Sequence, residues 1–261
     1  MEKHAWLRIN SERLPYKRYD ISVIIPSAAG RYTNRWTWFW PQYIKDTHPS
    51  IVENTYIPCD QAEYEFLKNL CPEANVFVTE PRWIACKTLA ALNLITTRLT
   101  FRLANDIMVV RNGWEEPLLE QFNAVGNLQL IAKVTHGISF PEDQEALERD
   151  WEFIREKYKS QKKATACVYP HGSVLMAQTA LWRAYYSQVT RYTLHEHDEI
   201  YLSQIAQSDG VQFTNMTGLD RFLCHVGVTN KDFNQEYMKH IIEEKNKWSI
   251  LPPTPGFKVC E

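Results

Sequence analysis

Short β-branched runs alternate with helical patterns along the first half of this chain, and that alternation constrains the fold more than any other feature. Ile21 to Ser27 reads Ile-Ser-Val-Ile-Ile-Pro-Ser, an apolar run closed by proline, the pattern of a strand buried on both faces. The segments 55–60, 75–79, 99–103 and 128–132 repeat the pattern. Between them the residue spacing predicts helices over 35–44, 63–70, 83–97 and 114–122. Pro41 is expected to end or kink the first of these, whereas Pro117 falls in the first turn of the last, where proline is tolerated. Strands alternating with helices imply an α/β fold, a mostly parallel sheet covered on both faces.

The second half is less regular. An amphipathic helix is expected over 141–158, with Leu147, Trp151, Ile154 and Tyr158 on one stripe, followed by a basic solvated loop over 157–163. Further strands are expected over 168–177 and 211–215, helices over 179–186 and 198–207, and a charged amphipathic helix over 233–248. No segment has the composition of a linker. One domain over 1–261 is therefore expected, with a lead-in over 1–19 and a C-terminal helix and tail over 231–261.

Composition narrows the function. The 29 basic and 31 acidic residues leave a net charge of −2, which offers no general basic surface to nucleic acid. No run approaches the ~18 apolar residues that a membrane helix needs, and the first residues have no apolar stretch of signal-peptide type. The 6 cysteines form no C-x-x-C pair and have no zinc-type spacing, so free thiols in a reducing cytoplasm are expected. Tryptophan is as frequent as glycine, 9 of each. Trp36, Trp38, Phe39 and Trp40 have the flat faces that stack on sugars and bases, but core packing is the expected role.

In an open α/β sheet, ligands bind outside the carboxyl ends of the strands. Ser27, Asp60, Asn105-Asp106 and His171 fall at or near such ends. Asp106 suits a hard divalent cation bridging two phosphates, and an Asn-Asp turn is the plainer reading. His195-Glu-His-Asp198 invites a metal-hydrolase reading, but it lacks a spaced third histidine and Gly-rich turns.

The ordered set of motifs resembles the nucleotide-sugar-dependent glycosyltransferases of the GT-A fold, above all inverting family 2 and its rhamnosyltransferase-like branch. ISVIIPS over 21–27 looks like the first strand, whose end cradles the nucleotide base. LANDIMVVRNGWEEPLL over 103–119 resembles the segment with the metal-binding D-x-D equivalent, and HGSVLMAQTALWRAY over 171–185 the acceptor-side segment. DEIYLSQIAQSDG over 198–210 resembles the helix that carries the catalytic base, and Leu223-Cys-His225 sits where family members often place a histidine near the metal.

The resemblance implies a Rossmann-like, mixed and mostly parallel sheet flanked by helices. It implies a nucleoside diphosphate sugar as donor, Mn²⁺ or Mg²⁺ as cofactor, and a glycan or other hydroxyl-bearing acceptor. Pro26, Ser27, Asp60, Lys87, Asn105 and Asp106 would then contact the donor, Asp106 and His225 the metal. Glu199 would be the base, with Asp198 as the fallback.

Three departures accompany the resemblance. Ala104 stands where the first acid of D-x-D belongs, leaving its contact to Asn105. The acidic pair is reversed in identity, as Asp198-Glu199. The Asn and Gly common in the helix before the D-x-D strand are absent from 83–97, where Lys87 would supply a phosphate contact or else lie exposed to solvent. Chemically, sugar transfer needs charge neutralised on the departing diphosphate and a base for the acceptor hydroxyl. The alternatives are a related nucleotidyltransferase, disfavoured by the poor glycine content after the first strand, and a degenerate binding protein that lost its first acid at Ala104.

Overall fold

A computed structural model of the chain describes residues 15–27, 33–80, 84–105, 107–109, 111–125, 129–135, 169–192, 198–199 and 211–215, together with 202, 205, 206, 209 and 222–225. The expected helices over 141–158 and 233–248, the basic loop and the His195–His197 segment lie outside the described residues.

The strands form where the apolar runs predict them: β1 (Ile21–Ile24), β2 (Thr55–Cys59), β3 (Asn75–Val78), β4 (Leu99–Leu103), β6 (Gln129–Thr135), β7 (Tyr169–Gln178) and β8 (Gln212–Asn215). They make a seven-stranded sheet of order β3-β2-β1-β4-β7-β6-β8. β7 runs antiparallel to both its neighbours, and every other pairing is parallel. The fold is thus the expected Rossmann-like one, a mixed and mostly parallel sheet flanked by helices. Two short strands were not foreseen. β5 (Ile107–Val109) and β9 (Leu223–His225) pair as a separate antiparallel ribbon, with Ile107 opposite His225.

The pleat sorts side chains onto two faces. Ile21, Val23, Leu99, Phe101, Leu103, Val174 and Met176 enter one core, shared with α1 (Thr33–Lys45), α2 (Pro49–Glu53), α3 (Gln61–Leu70) and α5 (Glu115–Val125). Ile24, Leu175 and Ala177 enter the other, beneath α4 (Ile84–Leu94) and α6 (Thr179–Tyr192). Leu202, Ile205 and Ala206, helical residues spaced to share one face, close that second core.

α1 corrects the expectation for Pro41, since the helix runs past it to Lys45. Proline removes one intrahelical bond, but Trp36, Phe39, Trp40 and Tyr43 are fully buried on the inner face while Pro41 is exposed. Tertiary packing of that aromatic face outweighs the break. The tryptophan-rich segment is therefore core, with Trp36 edge-on to Phe39 at 5.5 Å and Trp40 stacked on Tyr43 at 5.3 Å. α4 ends at Leu94, short of the predicted boundary, because Arg183 of α6 takes its last carbonyls, Nη2 donating to Leu92 O at 2.7 Å and to Ile95 O at 2.9 Å. No described helix is long and apolar enough to cross a membrane.

Candidate functional site

The carboxyl ends of β1, β2 and β4 form one rim, because β1 lies between the other two and pairs in parallel with both. The register Ile24 to Arg102, carried three residues on, brings Ser27 level with Asn105. β1 keeps its alignment beyond the strand proper. The buried Pro26 adds no donor, and Ser27 N–H donates to Pro58 O at 3.0 Å. Ser27 Oγ accepts from Trp36 Nε1 at 3.1 Å, which ties the rim to α1.

Lys87 corrects the solvent-exposed alternative. It has no exposure at all; its ammonium donates to the Ser27 carbonyl and lies 3.2 Å from Asp60 Oδ1, an ion pair rather than a directed hydrogen bond. Asp60 is the N-cap of α3 and Glu63 its third residue, the spacing of a capping box. The box is not closed. Asp60 makes no side-chain cap bond, and the carboxylate oxygens of Asp60 and Glu63 are buried with no hydrogen-bond partner. Burial, together with the charges of Glu63 and Asp60 and against that of Lys87, pushes the Cys59 thiol up to about 11, so Cys59 is a packed thiol rather than a nucleophile.

Asn105 and Asp106 occupy the two central positions of a turn closed by Ile107 N–H donating to Ala104 O at 3.0 Å. Asn105 is buried, and Asp106 itself lies outside the described residues, as does the His225 side chain. The backbone nonetheless brings the two positions together, since Ile107, the residue after Asp106, pairs with His225. Among the described residues, no group of three or more His, Cys, Asp or Glu side chains is arranged to hold a metal ion. The Gly-Trp of the same motif is architectural. Gly113 has φ +81°, a left-handed value that favours glycine, and Trp114 is fully buried with Nε1 donating to Thr47 Oγ1 at 3.1 Å.

Asp198 and Glu199 sit differently. Asp198 lies on the face that also carries Leu202 and Ile205, and it is 1% exposed. It meets Arg102 of β4 through Nη1 to Oδ2 at 2.6 Å and Nη2 to Oδ1 at 3.2 Å, and Tyr186 Oη donates to Oδ2 at 2.7 Å. Burial raises its affinity for a proton, but the Arg102 charge, with bonds from Arg102, Tyr186 and Glu199, holds its carboxyl below the usual range. Tyr186 is pushed up by burial. Glu199 is only half-buried, on the shoulder of the same helical turn.

Sequence reasoning missed Arg102, Tyr186 and Glu63. Arg102 had a signal: a guanidinium inside the apolar run Leu-Thr-Phe-Arg-Leu requires a buried partner.

No family model and no curated protein sequence matches this chain. Among solved structures, it is similar to 4-diphosphocytidyl-2C-methyl-D-erythritol synthase from Anaerococcus prevotii, at 11% identity over 87% of this chain and 95% of that one, with a TM-score of 0.49. It is also similar to mouse xyloside xylosyltransferase 1, at 10% identity over 76% of this chain and 84% of that one, with a TM-score of 0.46. Likenesses this distant leave the chemistry to be argued from the site itself.

Proposed function

We propose that this chain is a single-domain GT-A-type glycosyltransferase that moves a sugar from a nucleoside diphosphate sugar to an acceptor hydroxyl, with inversion. The observation that carries the reading is the rim at the ends of β1, β2 and β4, where Ser27, Lys87, Asp60 and Asn105 gather and the β5–β9 pairing sets the Asp106 and His225 positions side by side. Open α/β sheets take their ligands at such a rim.

The donor chemistry of Asp106 and His225, one carboxylate and one imidazole, suits Mn²⁺ or Mg²⁺ whose other ligands come from diphosphate oxygens. Such an ion, when bound, neutralises charge on the departing diphosphate. In this reading Ser27, Asp60 and Asn105 orient the nucleoside, and Lys87 tightens the rim from below. Glu199 removes the proton from the acceptor hydroxyl, opposite the leaving group. Asp198, fixed by Arg102, anchors the turn on which Glu199 stands.

A binding protein without transfer is the second reading, favoured by Ala104 at the first acid of the D-x-D equivalent. One experiment separates the two. The chain is mixed with Mn²⁺ and UDP-, GDP-, dTDP- or CMP-sugars, and both melting temperature and nucleotide release are followed. Ligand at about 100 times its dissociation constant stabilises by ~2.7 kcal/mol. Stabilisation with release supports the transferase, stabilisation without release supports the binder, and neither effect with any donor removes both.

A further inference from the structure

Glu63 is an anomaly. Its residue is 5% exposed, and neither carboxylate oxygen accepts a hydrogen bond. A buried charged carboxylate without donors is costly, and native chains keep such groups where a ligand completes them. The first turn of α3 offers the obvious internal solution, a capping box with Asp60, and the chain does not use it. Lys87 engages the other carboxylate of the pair, at 3.2 Å from Asp60 Oδ1, while donating to the Ser27 carbonyl. An ammonium has three donors, so Lys87 retains capacity for an acceptor on a ligand.

We infer that Glu63, beside Lys87, reads the base of the donor nucleotide and selects guanine. The inference rests on the reading above, that the rim takes a nucleoside diphosphate. Its warrant is the pattern of hydrogen-bonding groups on each base edge. Guanine presents an acceptor at O6 followed by two adjacent donors, N1–H and the N2 amine. One carboxylate accepts both donors side by side, and a neighbouring ammonium meets O6. Uracil presents one N–H flanked by two carbonyls, so the second carboxylate oxygen would face a carbonyl oxygen. Adenine and cytosine each present one amine beside an acceptor nitrogen, with the same conflict. Both carboxylates lie just beneath the surface, with 10% of the Asp60 side chain exposed, so the base reaches Glu63 by a side-chain rotation at the start of α3.

The test is calorimetric titration of the full chain, with Mn²⁺ present, by GDP, IDP, UDP and ADP, on wild type and Glu63→Gln. IDP lacks the N2 amine and isolates one of the two bonds. Wild type is expected to bind GDP at least about tenfold tighter than UDP or ADP, with IDP between them. Glu63→Gln, which replaces an acceptor with a donor, should bring GDP down to IDP and leave UDP unchanged. Thermal melting of the variant, expected at or above the wild-type temperature because an unpartnered charge is removed, confirms that it folds. Should it misfold, the wild-type order of GDP and IDP still decides. Equal affinities, a preference for UDP, or an equal loss for all four in Glu63→Gln overturns the guanine assignment while leaving a nucleotide site. Binding of none of the four overturns the assignment and the donor reading together.

Discussion

Arg102 and Asp198 face each other as a two-pronged ion pair, Nη1 to Oδ2 at 2.6 Å and Nη2 to Oδ1 at 3.2 Å, with Tyr186 donating to the same carboxylate. The pair joins the central strand β4 to the helical turn that carries Glu199. Removing one partner leaves the other charge buried. Arg102→Met is expected to destabilise the fold by about 3–5 kcal/mol, and Arg102→Met with Asp198→Leu to recover most of that. Urea denaturation of the single and double variants measures both, and a double variant as unstable as the single one contradicts this account.

The same pair sets a pH dependence. Asp198 has a folded value below its unfolded one, so its contribution is present at neutral pH, above the ordinary carboxylate value, and is lost as pH falls through the folded value. Urea midpoints followed downward from neutral pH should decline for the wild type, and part of that decline should be missing in Asp198→Asn. Identical slopes would contradict the depressed value.

Glu199→Gln should bind donor normally and lose about 10²–10⁴ in turnover, because a general base contributes that much and the carboxamide cannot take a proton. Asp198→Asn should show its effect first in thermal stability. If Glu199→Gln keeps wild-type turnover, the base lies elsewhere.

Asp106→Ala should leave the melting temperature in the absence of metal near that of wild type and abolish Mn²⁺-dependent nucleotide binding. Retained affinity with Mn²⁺ would rule out Asp106 as a ligand.

Gly113→Ala tests the turn before α5. The nearest atom to an added Cβ is Glu116 Oε2 at 3.6 Å, an ordinary contact, so the cost is the left-handed backbone alone, about 1–2 kcal/mol. A chemical melt reads it, and nucleotide affinity should not change.

The main sheet was legible because its strands are written locally, as β-branched runs ended by proline or a polar residue. β5 and β9 were not, since three residues carry little pattern and their pairing joins Ile107 to His225 across the length of the chain. The rim was half legible. Ser27, Asp60 and Asn105 announce themselves by falling just past strands. Lys87 was misjudged as a solvated helix lysine, although it lies on the apolar stripe with Ile84 and Ala91, where a charge must find a buried partner. Glu63 looks like an ordinary first-turn acid, and only the three-dimensional packing shows that neither of its oxygens meets a donor.

The burial of Lys87 makes it a built-in reporter. An acylating reagent modifies a lysine through its neutral, accessible amine, and the Lys87 nitrogen is enclosed between the Ser27 carbonyl and the Asp60 carboxylate with no solvent contact. Exposed lysines such as Lys45 and Lys68 should label in seconds to minutes, while Lys87 should label only as fast as the rim opens. The labelling rate at this one position, read by mass spectrometry, therefore times the breathing of the crevice, and any ligand that seals the rim should slow it without touching the rates elsewhere.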